Sequence, residues 1–110
     1  MKVSDLLVNK EFKCLNPQVG IDGVIKSGYV GDLLSWVMAN AGNGCAWVTI
    51  QTHVNIIAVA TLLEMTCVII PEGAEVEEST LERAIIEDIP IIITGLNAYE
   101  VCKILGNAGV

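Results

Sequence analysis

The sequence predicts an α/β fold of three layers: a Rossmann-like, mostly parallel sheet with helices on both faces. From Gly44 onward, short β-branched apolar runs alternate with longer segments of helical period, the pattern of parallel strands joined by crossover helices. Those runs are continuously apolar rather than alternating, so both faces of the sheet should be covered. Turn and cap residues separate the runs from the helical segments.

Taken in order, Ser4 is expected to cap a short helix through Asp5 to Asn9. Phe12 to Leu15 reads as a strand, Asn16-Pro17 as a turn, and Gly23 to Tyr29 as a second strand, together adding one further edge to the sheet. Asp32, after Gly31, is expected to cap a helix from Leu33 to Ala41 that stops at Gly42-Asn43-Gly44. The three core strands are Cys45 to Ile50, Thr66 to Ile70 and Pro90 to Thr94. Ser79-Thr80-Leu81-Glu82 has the form of a capping box with Leu81, Ala84 and Ile85 as a buried stripe, and Asn97 to Glu100 repeats the device.

The segments Leu33 to Ala39 and Ile56 to Leu63 are apolar nearly all round, which requires enclosure on every side. A domain this small does not supply that alone, so Leu33, Trp36, Val37 and Met38 are predicted to face a second copy in a two-fold homodimer. The composition agrees: 53% of the 110 residues are hydrophobic and 17% charged, an apolar excess that suits an obligate interface. One domain is expected over residues 1–110, with 1–23 as an N-terminal helix and strand extension.

The longest apolar stretch, Val54 to Ile70, contains Asn55, Thr61, Glu64 and Thr66 and ends at Pro71. A glutamate near the middle of a membrane span costs about 2.5 kcal/mol or more, so the stretch reads as a buried helix and strand, and no membrane association is expected. No basic segment leads into an apolar signal at the N-terminus, which points to the cytoplasm. A net charge of −7 opposes phosphate backbones and argues against nucleic acid as a partner. Cys14, Cys45, Cys67 and Cys102 form no C-x-x-C pair and read as reduced, mostly buried thiols rather than as a metal site or disulfides.

Parallel sheets bind ligands outside the carboxyl ends of their strands, where helix N-termini offer unpaired N–H groups. That rule selects Gln51, Thr52, His53 and Asn55 after the first core strand, Glu72 and Gly73 after the second, and Thr94 and Asn97 around the third. His53, the sole histidine, suits hydrogen bonding to an anion or a base; a histidine at a helix start also serves as a cap. Gly28 to Asp32 lacks the G-x-G-x-x-G spacing and reads as a turn, and no G-x-x-x-x-G-K-[ST] loop occurs. The acids from Glu72 to Glu78 lack the spacing of an EF-hand. No metal site and no catalytic set is expected, and no cofactor is indicated.

The stretch Gly28-Tyr29-Val30-Gly31-Asp32-Leu33-Leu34-Ser35-Trp36-Val37-Met38-Ala39-Asn40, followed by Trp47 to His53 and Val68 to Gly73, resembles the DRTGG domain family over roughly residues 24 to 110. The resemblance implies a Rossmann-like domain similar to the N-terminal domain of HPr kinase, self-associating and accessory to catalytic domains such as pyrophosphatases and phosphotransacetylases. The family's Asp-Arg and Thr-Gly-Gly positions match Thr52-His53 and Pro71-Glu72-Gly73, where only Gly73 agrees. The serine-kinase label given to some relatives does not transfer, because this chain has no kinase domain.

Three functions follow. The first is a non-catalytic regulatory or ligand-sensing dimer that binds a nucleotide or other small anionic molecule. The second is a scaffold subunit that binds a protein partner without any ligand. The third is a small enzyme using His53 with a carboxylate such as Glu72, which requires the two within hydrogen-bond reach.

Overall fold

In the computed structural model, which describes residues 1–110, the apolar runs form the centre of a five-stranded sheet. In chain order the elements are α1 (Val3–Leu6), β1 (Phe12–Cys14), β2 (Ser27–Val30), α2 (Leu34–Asn40), β3 (Cys45–Val48), α3 (Asn55–Leu62), β4 (Cys67–Ile70), α4 (Glu78–Ile86), β5 (Ile91–Thr94) and α5 (Ala98–Asn107). The strand order is β1-β5-β4-β3-β2. β2 to β5 are parallel, and β1 joins β5 antiparallel with Phe12 opposite Thr94 and Cys14 opposite Ile92. No helix is long and apolar enough to cross a membrane.

The central strands are buried on both faces, and successive side chains go to different cores. Cys45, Trp47, Val68, Ile70 and Ile91 pack with Val37 of α2, Ile56, Ile57, Val59 and Ala60 of α3, and Ala84 of α4. Ala46, Val48, Cys67, Ile69 and Ile92 pack on the other side with Val3 and Leu6 of α1 and Val101 and Leu105 of α5. The crossovers β2-α2-β3, β3-α3-β4 and β4-α4-β5 thus lie on one face, as a single crossover hand requires when strands are added in sequence. The N-terminal segment and α5 cover the other.

Several sequence expectations are corrected. The two N-terminal strands do not form one edge: β1 lies at one end of the sheet and β2 at the other. Lys2, not Ser4, occupies the N-cap of α1, whose backbone N–H donates to the Asp5 carboxylate at 2.8 Å. Asp32 does not cap α2; Leu33 holds that position and Asp32 bonds elsewhere. The N-cap of α4 is Glu77 without a side-chain bond, so the box expected from Ser79 to Glu82 does not form; Ser79 lies inside the helix, Thr80 is buried, and Ile85, expected in the buried stripe, is exposed. The box at Asn97 does form, with Asn97 Oδ1 accepting from Glu100 N at 2.9 Å and Glu100 Oε1 from Asn97 N at 3.2 Å.

The predicted turn residue Asn16 has a larger part. It is fully buried, its Nδ2 donates to Ile89 O at 2.9 Å and its Oδ1 accepts from Ile91 N at 2.8 Å. Between those two groups lies Pro90, which has no N–H to offer, so Asn16 supplies the bonds where the ladder into β5 is interrupted. Gly20 packs beside this point with φ +63°, and a Cβ there would lie 2.8 Å from the Pro90 ring. Replacing Asn16 by alanine strands a buried N–H and a buried carbonyl, and should lower stability by about 2–4 kcal/mol in urea unfolding. An unchanged midpoint would show that β5 is positioned without the clamp.

Candidate functional site

The carboxyl ends of the four parallel strands open at one end of the sheet, and the loops that leave them are bonded to one another. Asp32 is the centre of this network. Its Oδ1 accepts from Thr49 Oγ1 at 2.8 Å and from Ile50 N at 2.9 Å, while its own carbonyl accepts from Gln51 Nε2 at 2.9 Å. Trp47 Nε1 donates to Gly31 O at 2.8 Å and Gly31 N to Val48 O at 3.2 Å. The loop entering α2 is therefore stapled to the end of β3 at five points within a few residues. Gln51 is held in place by this network.

Thr52 gives its carbonyl to Thr80 Oγ1 at 2.7 Å, which ties the β3–α3 loop to α4. His53 is exposed, and its Nδ1 accepts from Asn55 N at 3.2 Å, at the first turn of α3, whose N-cap position is Val54. No hydrogen bond joins His53 to Glu72 or to any other carboxylate. Asn55 opens α3 and lines a groove of about 400 Å³ between α3 and α4 with Val54, Ile57, Ala58, Leu62 and Arg83.

Glu72 and Gly73 make a left-handed turn, with φ of 62° and 68°. Their N–H groups donate to Leu96 O at 2.8 Å and Thr94 O at 3.0 Å, locking the β4 and β5 loops together. Connections from neighbouring β4 and β5 leave toward opposite faces, to α4 and α5, the arrangement that opens a crevice in parallel sheets. The Glu72-Gly73 turn sits in that crevice and divides it. On one side a hollow of about 140 Å³ is lined by Val30, Asp32, Thr49, Ile50, Glu72 and Ala98. On the other a hollow of about 240 Å³ is lined by Glu11, Lys13, Gly73, Ile93, Thr94 and Gly95.

These hollows differ in charge. The first holds two carboxylates and no cation, which repels an anion. The second holds the Lys13 ammonium beside two glycines together with the Glu11 carboxylate, so it carries the one cation at these strand ends but no net charge. Lys13 was not singled out from the sequence; its signal is the polar position between buried Phe12 and Cys14, which turns it out of the core and toward the β5 loop. The eight predicted ligand residues therefore do not converge: Gly73 and Thr94 share one hollow, Glu72 lines the other, Asn55 lies in the helix groove, and Asn97 is committed to its helix cap.

The thiols offer no nucleophile in the core. Burial pushes Cys67, Cys45 and Cys14 above the ordinary thiol range, for Cys67 most strongly, with Cys45 and Cys14 nearby adding to the rise. Cys102 is exposed, which departs from the expectation for that position only. No group of three or more His, Cys, Asp or Glu side chains is arranged so as to hold a metal ion.

The architecture defines a three-layer α/β domain class with a mostly parallel sheet. Among solved structures, the chain is similar to the CBS and DRTGG domains of the regulatory region of Clostridium perfringens pyrophosphatase complexed with its activator, diadenosine tetraphosphate. The TM-score is 0.59 at 16% identity, over 69% of this chain and 33% of that one. This chain thus spans about a third of the length of the structure it matches, and the likeness is one of fold. No family model and no curated protein matches the sequence.

Two outcomes are expected. Asp32→Ala leaves Thr49 and Ile50 without their acceptor and should cost about 1–2 kcal/mol in chemical unfolding, with hydrogen exchange at Ile50 N rising first. The raised thiols stay protonated in the folded chain while the unfolded chain ionises above about pH 8.5. Stability should hold below that pH and fall as pH rises beyond it, and the slope should be shallower in Cys67→Ala.

Proposed function

We propose that this chain is a non-catalytic regulatory module that senses a small phosphate-bearing ligand, such as a nucleotide, at the carboxyl end of its sheet and works as a homodimer in the cytoplasm. One observation carries the reading: Asp32 binds the strand-end loop through Thr49, Ile50 and Gln51 and immediately precedes the helix whose exposed side chains are apolar. Leu33 is 68% exposed, Trp36 64% and Met38 46%, with Val30 and Ile50 exposed beside them. A change at the strand ends has a short bonded route to that surface. Val37, predicted for the same interface, is fully buried in its own core and belongs to the fold.

The ligand's phosphate is assigned to the hollow of Lys13, Gly73, Thr94 and Gly95. Its volume of about 240 Å³ is smaller than the roughly 300–1,000 Å³ of a complete small-molecule pocket. It takes the charged end, and the rest of the ligand lies across the open loops. The similarity to a regulatory region complexed with an activator nucleotide supports this reading. The charged and polar groups in the strand-end hollows, Asp32, Thr49 and Glu72 in one and Glu11, Lys13 and Thr94 in the other, favour sensing over a scaffold without ligand, and the separation of His53 from carboxylates weighs against an enzyme using it. Three buried free thiols suit a reducing compartment.

The test is thermal unfolding with diadenosine tetraphosphate, ATP or inorganic phosphate. A ligand at about 100 times its Kd adds about 2.7 kcal/mol to stability. The rise should disappear in Lys13→Ala and grow in Glu11→Gln, which removes the opposing carboxylate. If none of the three raises the melting point, the sensing reading falls and a protein-binding scaffold takes its place.

A further inference from the structure

Charge is distributed unevenly along this chain. It has six basic and thirteen acidic residues, yet from Ser27 through Leu63, about a third of its length, Asp32 alone is charged, and its carboxylate is bonded to Thr49 and Ile50. That stretch builds β2, α2, β3 and α3. Folded, it gives the outer face of two adjacent helices no charge at all, although surfaces are where Lys, Glu, Arg and Asp ordinarily collect. The outward positions of α3 are Asn55, Ala58, Thr61 and Leu62, spaced as one helical stripe, and Leu62 is 66% exposed.

The same layer carries a projection and a hollow. α2 lies beside α3, and α3 beside α4. Trp36 projects from α2 on one side of the α3 stripe. On the other side the groove of about 400 Å³ between α3 and α4 is floored by Val54, Ile57, Ala58 and Leu62 and rimmed by Arg83, which is paired with Glu87 at 2.6 Å. A two-fold axis passing near α3 exchanges α2 of one copy with the α3–α4 groove of the other, so each projection meets a hollow and both contacts form at once.

We infer that the outer face of α2, α3 and α4 is the homodimer interface, with Trp36 of each copy seated in the α3–α4 groove of its partner beneath Arg83. This rests on the self-association in the proposed function and specifies its geometry. A second copy is the occupant because each copy carries −7, and the charge-free faces of α2 and α3, bordered at the groove by the Arg83–Glu87 pair, are where two such molecules meet with the fewest like charges opposed. A membrane is disfavoured by the same charge and by the absence of lysine or arginine in the stretch. Arg83 lies at the rim, where its guanidinium can cover the indole face. A standard interface needs about 800 Å² per partner, a modest share of the 5706 Å² this chain exposes.

The test uses Trp36→Glu and Leu62→Arg, both at exposed positions, with melting curves to verify the fold. By analytical ultracentrifugation the wild type should be a dimer, and each single variant should dimerise roughly 30-fold or more weakly. Mixing the two variants, or combining them in one chain, should restore association, because the new carboxylate and guanidinium meet across the interface. A monomeric wild type overturns both this inference and self-association, leaving ligand sensing to its own test. A wild-type dimer that persists in both single variants overturns this geometry alone. Folded monomeric variants that fail to recover when combined overturn the pairing of Trp36 with the groove.

Discussion

The structure depends on burying both faces of β3, β4 and β5. Four-residue strands made almost wholly of Ile, Val, Cys, Ala and Trp have no face to give to water. Crossovers of one hand put α2, α3 and α4 together on one side. The opposite side must then be closed by what remains, α5 and the short N-terminal helix, with Val3, Leu6, Val101 and Leu105 fully or nearly fully buried there. The first residues of the chain are thus part of the core, and β1 completes the β5 edge.

That requirement also explains where polar groups are spent. Asn16 bridges the interruption made by Pro90, Trp47 places its indole N–H on Gly31, and no buried side-chain nitrogen or oxygen is left without a partner. Asp32 closes the same account at the other end of the sheet, where the backbone of Ile50 leaves the ladder. Because Asp32 sits between that strand end and α2, a bond needed for folding doubles as a mechanical connection from the loops to the helix surface. Structural economy and the proposed regulation share the same atoms.

The helical layer over β3 and β4 has an outer surface that follows a different rule from the rest of the molecule. α4 and α5 each bury a narrow stripe, Thr80 and Ala84 in one and Val101 and Leu105 in the other, and carry charged residues among their exposed positions. α2 and α3 turn apolar or neutral side chains both inward and outward. A single copy satisfies only their inner side.

The fold class was legible in the sequence because it rests on local signals: short β-branched runs, their spacing, and the Asn97 cap box, all of which the structure retains. The apolar character of Leu33, Trp36 and Met38 was equally plain. Tertiary structure decided the rest. Asp32 reads as a helix cap and Thr80 as part of a capping box, but each finds a partner far away in sequence, Thr49 and the Thr52 carbonyl, and only the packed sheet brings those within reach. His53 reads as a ligand group or a cap, and the structure places its Nδ1 on Asn55 N at the start of α3. The candidate anion hollow needs Lys13 of β1 beside Gly73 and Gly95, which lie far apart along the chain. Periodicity and caps act over a few residues and so are written in the sequence, whereas the pairing of an antiparallel edge strand with the last parallel one is fixed only when the whole sheet closes its two cores.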